Sequence, residues 1–135
     1  MPSLSKKEII AEVIKCGKDS SYFINNYAKI SHPLKGLIPF KTYPYQDDIL
    51  NDFNDHRFVI ALKARQLGIS TITAAYIVWL MLFYRDKNVL VIATKFATAA
   101  NLVKKVKNIM QNVPPWLRIA EIKIDNRSII SYVII

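Results

Sequence analysis

At 135 residues the chain has room for one domain, long enough to bury about two-thirds of the surface it exposes when unfolded. The composition is 52% hydrophobic, which excludes wholesale disorder, and 19 Lys+Arg against 10 Asp+Glu leave a net charge of +9 that suits a polyanionic partner. A single cysteine, Cys16, excludes an internal disulfide and fits a reducing compartment.

The N-terminus is interrupted by Lys6, Lys7 and Glu8, so it is no secretory signal. Ser5 to Glu8 has the spacing of a capping box, and Ile9, Ile10, Val13 and Ile14 form one helical stripe that Gly17 is expected to end. Asp19 can cap a second helix carrying Tyr22, Phe23, Ile24 and Tyr27. From Ile30 to Pro44 the chain is punctuated by Pro33, Gly36, Pro39 and Pro44 and reads as a connecting segment on the surface. Tyr45 and Gln46 then open another helix. Functionally, a tyrosine ring can stack on a base and a glutamine amide can read adenine's edge. The plainer alternative is a helix start with a half-buried tyrosine.

The stretch Phe58-Val59-Ile60-Ala61-Leu62 is branched and aromatic enough for a buried strand. A turn centred on Gly68 follows, then Ser70 and Thr71 stand where a helix would begin, and the residues to Tyr84 are almost wholly apolar. Strand, glycine turn, hydroxyl pair and apolar helix make the layout of a phosphate-binding loop. Against the pattern GxxxxGK[ST], Gly68 takes the second glycine and Ser70 the magnesium-binding hydroxyl. Ile69 occupies the lysine position and Lys63 the first glycine position, so the pattern fails as written. A triphosphate site would need its cation from Lys63 or from Arg65. The competing account is an ordinary strand-to-helix turn with solvated cations. At fewer than the ~20 residues a bilayer requires, the apolar stretch reads as a helix inside a domain and not a membrane span.

Arg85 to Asn88 reads as a turn and Val89 to Ala93 as a second buried strand, which with the first implies a right-handed parallel crossover. Thr94 and Lys95 would close that strand at the ligand end of the sheet. A helix from Ala97 to Gln111 places Leu102, Val103, Val106, Ile109 and Met110 on one face and Lys104, Lys105 and Lys107 elsewhere, where they would meet DNA phosphates or simply solvent. Pro114 and Pro115 stop it. Residues 120–124 and 128–135 read as a hairpin turning at Asp125, Asn126 and Arg127, and the last residues still look like the inside of a strand, as if the chain were cut.

Several short motifs together resemble a known family. Gly36-Leu37-Ile38-Pro39-Phe40, Tyr43-Pro44-Tyr45-Gln46, Lys63-Ala64-Arg65-Gln66-Leu67-Gly68-Ile69-Ser70-Thr71 and Ile92-Ala93-Thr94-Lys95 resemble the N-terminal ATPase region of the large terminase subunit of tailed double-stranded DNA phages. The resemblance runs from about Glu8 to the end of the chain. It implies an α/β fold of the three-layer P-loop NTPase type, with an incomplete parallel sheet. Residues 1–44 would form an N-terminal helical segment and connecting loop, and 45–135 a partial ATPase domain.

By that resemblance ATP would lie against Tyr45, Gln46, Lys63, Arg65, Gln66, Gly68, Ile69, Ser70 and Thr71. Ser70 would hold Mg2+, and Thr94 and Lys95 would couple ATP to DNA. Further partners implied are double-stranded DNA, a portal protein, the small terminase subunit and other copies of the chain, in the cytoplasm of an infected bacterium. The aspartate–glutamate strand that activates water in such motors, and their nuclease domain, have no counterpart in these residues, and Asp125 is no substitute. No catalytic residue is therefore assigned, and the chain by itself is expected to be inactive although the parent motor hydrolyses ATP and cuts DNA. Two other readings stay open: a helicase-like P-loop ATPase, and a non-catalytic nucleic-acid-binding module.

Overall fold

The computed structural model describes residues 4–118, 120–125 and 130–134. Helix α1 spans Lys6–Lys18 and carries the expected capping box: the Ser5 N–H donates to Glu8 at 2.7 Å and the Glu8 N–H to Ser5 Oγ at 3.3 Å. Gly17 does not end this helix but lies inside its last turn. A methyl group there would come 3.3 Å from Cδ1 of Phe83, so the glycine serves a close helix approach. Asp19 caps α2, Ser20–Tyr27, its Oδ1 accepting from the N–H groups of Ser21 at 2.9 Å and Tyr22 at 3.2 Å.

The segment expected to be an irregular connector contains a hairpin. Strand β1, Lys29–His32, pairs antiparallel with β2, Gly36–Pro39, and Gly36 adopts the left-handed φ of +69° that its tight turn demands. Helix α3 runs Pro44–Asp55 with proline at its start, α4 Ile69–Phe83 and α5 Phe96–Gln111. A 3-10 turn at Pro115–Leu117 leads to β3, Ala120–Asp125, antiparallel to β4, Ile130–Ile134, which is the expected hairpin with Asp125 closing its first strand. The rest of the expected turn, Asn126 and Arg127, lies outside the described residues.

The core explains this arrangement. Helix α4 is apolar all round, and such a helix is stable only when clad on several sides. Ile72, Ala74, Ala75, Ile77, Val78, Trp79 and Leu82 are all buried. Leu50 of α3 and Phe23 and Ile24 of α2 join them in one core, as do Val106, Ile109 and Met110 of α5. Two contacts tie α4 to the N-terminal helices: the Trp79 indole donates to the Cys16 carbonyl at 2.7 Å, and the Phe83 ring meets Phe23 edge-on at 5.7 Å. Cys16 itself is fully enclosed, and burial pushes its thiol up to about 12. Among the described residues no helix is long and apolar enough to cross a membrane.

Among the described residues the expected parallel sheet is absent, and the α/β reading is corrected to a mainly helical one with two separate two-stranded antiparallel sheets. Residues 58–62 and 89–93 belong to neither sheet. Ile60 and Leu62 are essentially fully exposed, and Leu90 and Ile92 are exposed by more than four-fifths. The reason is physical: branched residues favour a pleated surface only where a neighbouring strand takes up the backbone N–H and C=O groups. No such neighbour stands beside either run among the described residues. The parallel crossover through α4 therefore falls with the sheet.

Glu12 of α1 makes a clasp over α2. Its carboxylate accepts the hydroxyls of Tyr27 at 2.6 Å and Tyr22 at 2.9 Å, with Lys15 Nζ at 3.7 Å. The Tyr27 bond first and the Tyr22 bond second hold its pKa below the usual glutamate value. A depressed folded-state pKa gives stability that is fully present above the unfolded value, about 4.3, and is lost as pH falls through the folded one. Thermal scans of the wild type should therefore show a falling midpoint on acidification below about pH 4. Glu12→Gln should start lower at neutral pH and lose less in acid.

Candidate phosphate-binding loop

The loop that precedes α4 is shaped by two left-handed residues, Gln66 at φ 61° and Gly68 at φ 70°. Gln66 accepts this conformation at a cost that Gly68 does not carry. A Cβ at Gly68 would also stand 2.8 Å from Gln46 Nε2, so the Gln46 amide would have to shift to admit a side chain. As the N-cap of α4, Gly68 accepts the first helical hydrogen bond from Ile72 at 2.9 Å and offers no side chain to the N–H groups of the first turn. Those groups, beside Ile69, Ser70 and Thr71, keep their donor capacity for an anion.

Helix α3 reaches this loop across twenty residues of sequence. The Tyr45 hydroxyl donates to the Leu67 carbonyl at 2.8 Å, and Gln46 Nε2 donates to the same oxygen at 3.1 Å. The structure thus brings the two upstream residues onto the loop, but it changes the work of Gln46. Its side-chain oxygen accepts the Tyr43 N–H at 3.1 Å and the residue is buried, so its amide braces Leu67 and does not stand open as a reader of adenine. Tyr43, which the motif pattern does not single out, joins the site. Its ring stacks on that of Tyr45 at 5.7 Å and 5°, and both rings are exposed, Tyr43 by 62% and Tyr45 by 38%. The signal was present in the spacing: two tyrosines flanking a proline at a helix start meet across Pro44.

Neither in-loop cation is drawn inward. Lys63 Nζ approaches only the carbonyl of its neighbour Ala64, at 3.4 Å, and both Lys63 and Arg65 are exposed. The basic helix comes closer. Lys105 of α5 donates from Nζ to Thr71 Oγ1 at 3.4 Å. Ser70 and Lys105 border one cleft of about 530 Å3, together with Val91, Ala93, Thr98 and Lys104. Lys107 is half-buried and does not line this cleft, so the three lysines do not form one face. Thr94 and Lys95 are exposed, and Lys95 precedes α5 as its N-cap instead of closing a strand.

Magnesium fits these residues poorly. The ion is usually held by one or two carboxylates beside phosphate oxygens. Ser70 offers a single hydroxyl, and no acidic residue lines the cleft. Among the described residues no three His, Cys, Asp or Glu side chains gather as a metal site. The assignment of a metal to Ser70 therefore has no supporting ligand set.

The chain matches no known protein-family model.

Proposed function

We propose that the chain is the triphosphate-gripping part of a DNA-packaging ATPase of the large-terminase kind, acting on double-stranded DNA in the cytoplasm of an infected bacterium. The observation that carries this reading is the double hydrogen bond from Tyr45 and Gln46 to the Leu67 carbonyl, which sets an aromatic surface beside a glycine-capped helix start. An ordinary strand-to-helix turn needs no such brace from a separate helix. In this reading the N–H groups of the first turn of α4 bind phosphate oxygens, and Gly68 lets the backbone approach them. Ser70 and Thr71 add hydroxyl donors, while the exposed ring of Tyr43 or Tyr45 takes the flat face of the base. Gln46 is a positioning residue. Portal protein, small terminase subunit and further copies of the chain are partners of the same proposal.

Equilibrium dialysis of the 135-residue chain against ATP tests it. Wild type should bind, and Tyr45→Phe, which deletes the hydroxyl bond to Leu67, should weaken binding by several-fold, about the worth of one net hydrogen bond. No retention of ATP by the wild type would overturn the reading. Turnover should stay at background, because no described residue is assigned to activate water. Magnesium-dependent hydrolysis abolished by Lys63→Ala would contradict that expectation.

A second reading, a non-catalytic nucleic-acid-binding module, draws on the exposed pair Lys104 and Lys105 and the net charge of +9. It requires that substituting these lysines reduce the salt dependence of double-stranded DNA binding by about one unit of slope per lost phosphate contact.

A further inference from the structure

The triphosphate reading leaves one chemical gap: the position of the loop lysine is Ile69, and an anion with several negative charges still requires a cation. Lys63 and Arg65 answer the need by sequence distance, but the geometry points to another donor. We infer that Lys105 of α5 supplies the counter-charge for the phosphate tail, from across the cleft it shares with Ser70. This inference rests on the function proposed above and names the residue that completes it.

Three observations carry it. Lys105 Nζ already lies 3.4 Å from Thr71 Oγ1, a contact between residues 34 apart in sequence, so the ammonium stands at the first turn of α4 before any ligand arrives. Between α5 and that turn lies an open volume of about 530 Å3, within the range of small-molecule sites. Its lining is mixed, with Ser70, Thr98 and Lys105 among the polar residues and Val91 and Ala93 among the apolar ones. By contrast, Lys63 Nζ sits against the Ala64 carbonyl of its own loop.

The packing explains why a lysine on a distant helix is well placed. Val106, Ile109 and Met110 are locked in the core beside α4, which fixes the rotation of α5. Lys105 precedes Val106 and is thereby held at the rim of the contact. A lysine is a mobile point charge on a four-carbon stem, so it can exchange the Thr71 hydroxyl for a phosphate oxygen by rotamer changes alone. Inorganic tripolyphosphate should suffice as a ligand, because the interaction is with phosphate oxygens and not with a base. Double-stranded DNA is the competing ligand: its phosphates are singly charged and spread along a backbone, and it would engage Lys104 as readily as Lys105.

Calorimetric titration of the full chain with tripolyphosphate, and separately with ATP, decides it. Lys105→Ala should weaken both ligands by about ten-fold or more, the effect of losing a charge-assisted hydrogen bond. Lys105→Arg should restore most of the affinity, and Lys63→Ala and Arg65→Ala should each change it by less than about three-fold. Lys105 is exposed, so the thermal midpoint of Lys105→Ala should match wild type. If wild type binds both ligands and Lys105→Ala binds them equally well, the inference fails while the triphosphate reading stands. A loss equal to that of Lys105→Ala in Lys63→Ala or Arg65→Ala also overturns it, as does a loss confined to double-stranded DNA binding. If wild type binds neither ligand, both proposals fall together.

Discussion

Leu82→Ala should lower stability by about 2–5 kcal/mol, whereas Leu62→Ser should change it by no more than about 0.5 kcal/mol. Leu82 is fully buried on α4 inside the core, and truncation there removes transfer free energy and leaves a cavity. Leu62 is fully exposed in a run that lacks a neighbouring strand, so a hydroxyl in its place meets only water. By sequence alone the two leucines look alike: each sits in a continuous apolar run, and a parallel-sheet core would make both costly. Urea midpoints of the two variants, read with equal slopes, separate these cases. Comparable losses at both positions would show that 58–62 is packed after all. The exposed apolar side chains at 60, 62, 90 and 92 also form a liability for association. Substituting Leu62 and Leu90 by serine should raise the concentration at which the chain stays monodisperse in light scattering.

Gly68→Ala is the second large effect, and it acts on stability and binding together. An alanine held at φ +70° costs about 1–2 kcal/mol. Its Cβ would also stand 2.8 Å from Gln46 Nε2, which must withdraw from the Leu67 carbonyl. Leaving a buried amide without its partner adds about 1–3 kcal/mol. Together the two terms come to about 2–5 kcal/mol. The two causes can be separated in a double-mutant cycle, since in a Gln46→Ala background the steric part has nothing to displace. Gly68→Ala should then cost only its backbone share, giving a coupling of about 1 kcal/mol or more. Simple additivity would mean that the Gln46 brace is not what the glycine accommodates. ATP retention should fall in Gly68→Ala as the loop carbonyl and the first-turn N–H groups lose their register.

The helices were legible because their information is local. The capping box at Ser5 and Glu8, the Asp19 cap and the apolar stripe of α5 each act within one or two turns. Gly17 shows where local reading stops. A glycine near a helix end usually signals termination, yet here it answers to Phe83, which no local rule brings beside it. The same holds for the site. The glycine turn with its hydroxyl pair is plain in the residues, and so is the Tyr45-Gln46 pair upstream of it. That Gln46 is sealed beneath the loop, and that Tyr43 stacks on Tyr45, depends on the angle at which α3 meets the loop.

What the residues determined by themselves is the set of helices and the glycine turn before α4, consequences of chain geometry within a few residues, and the strongly basic balance of charge. What only the tertiary structure decided is the company each segment keeps. Two branched runs remain outside any sheet because hydrogen bonding between strands needs a partner that composition cannot supply. A lysine on α5, and not the cations inside the loop, approaches the start of α4 because the packing of Val106 and its neighbours sets the rotation of that helix.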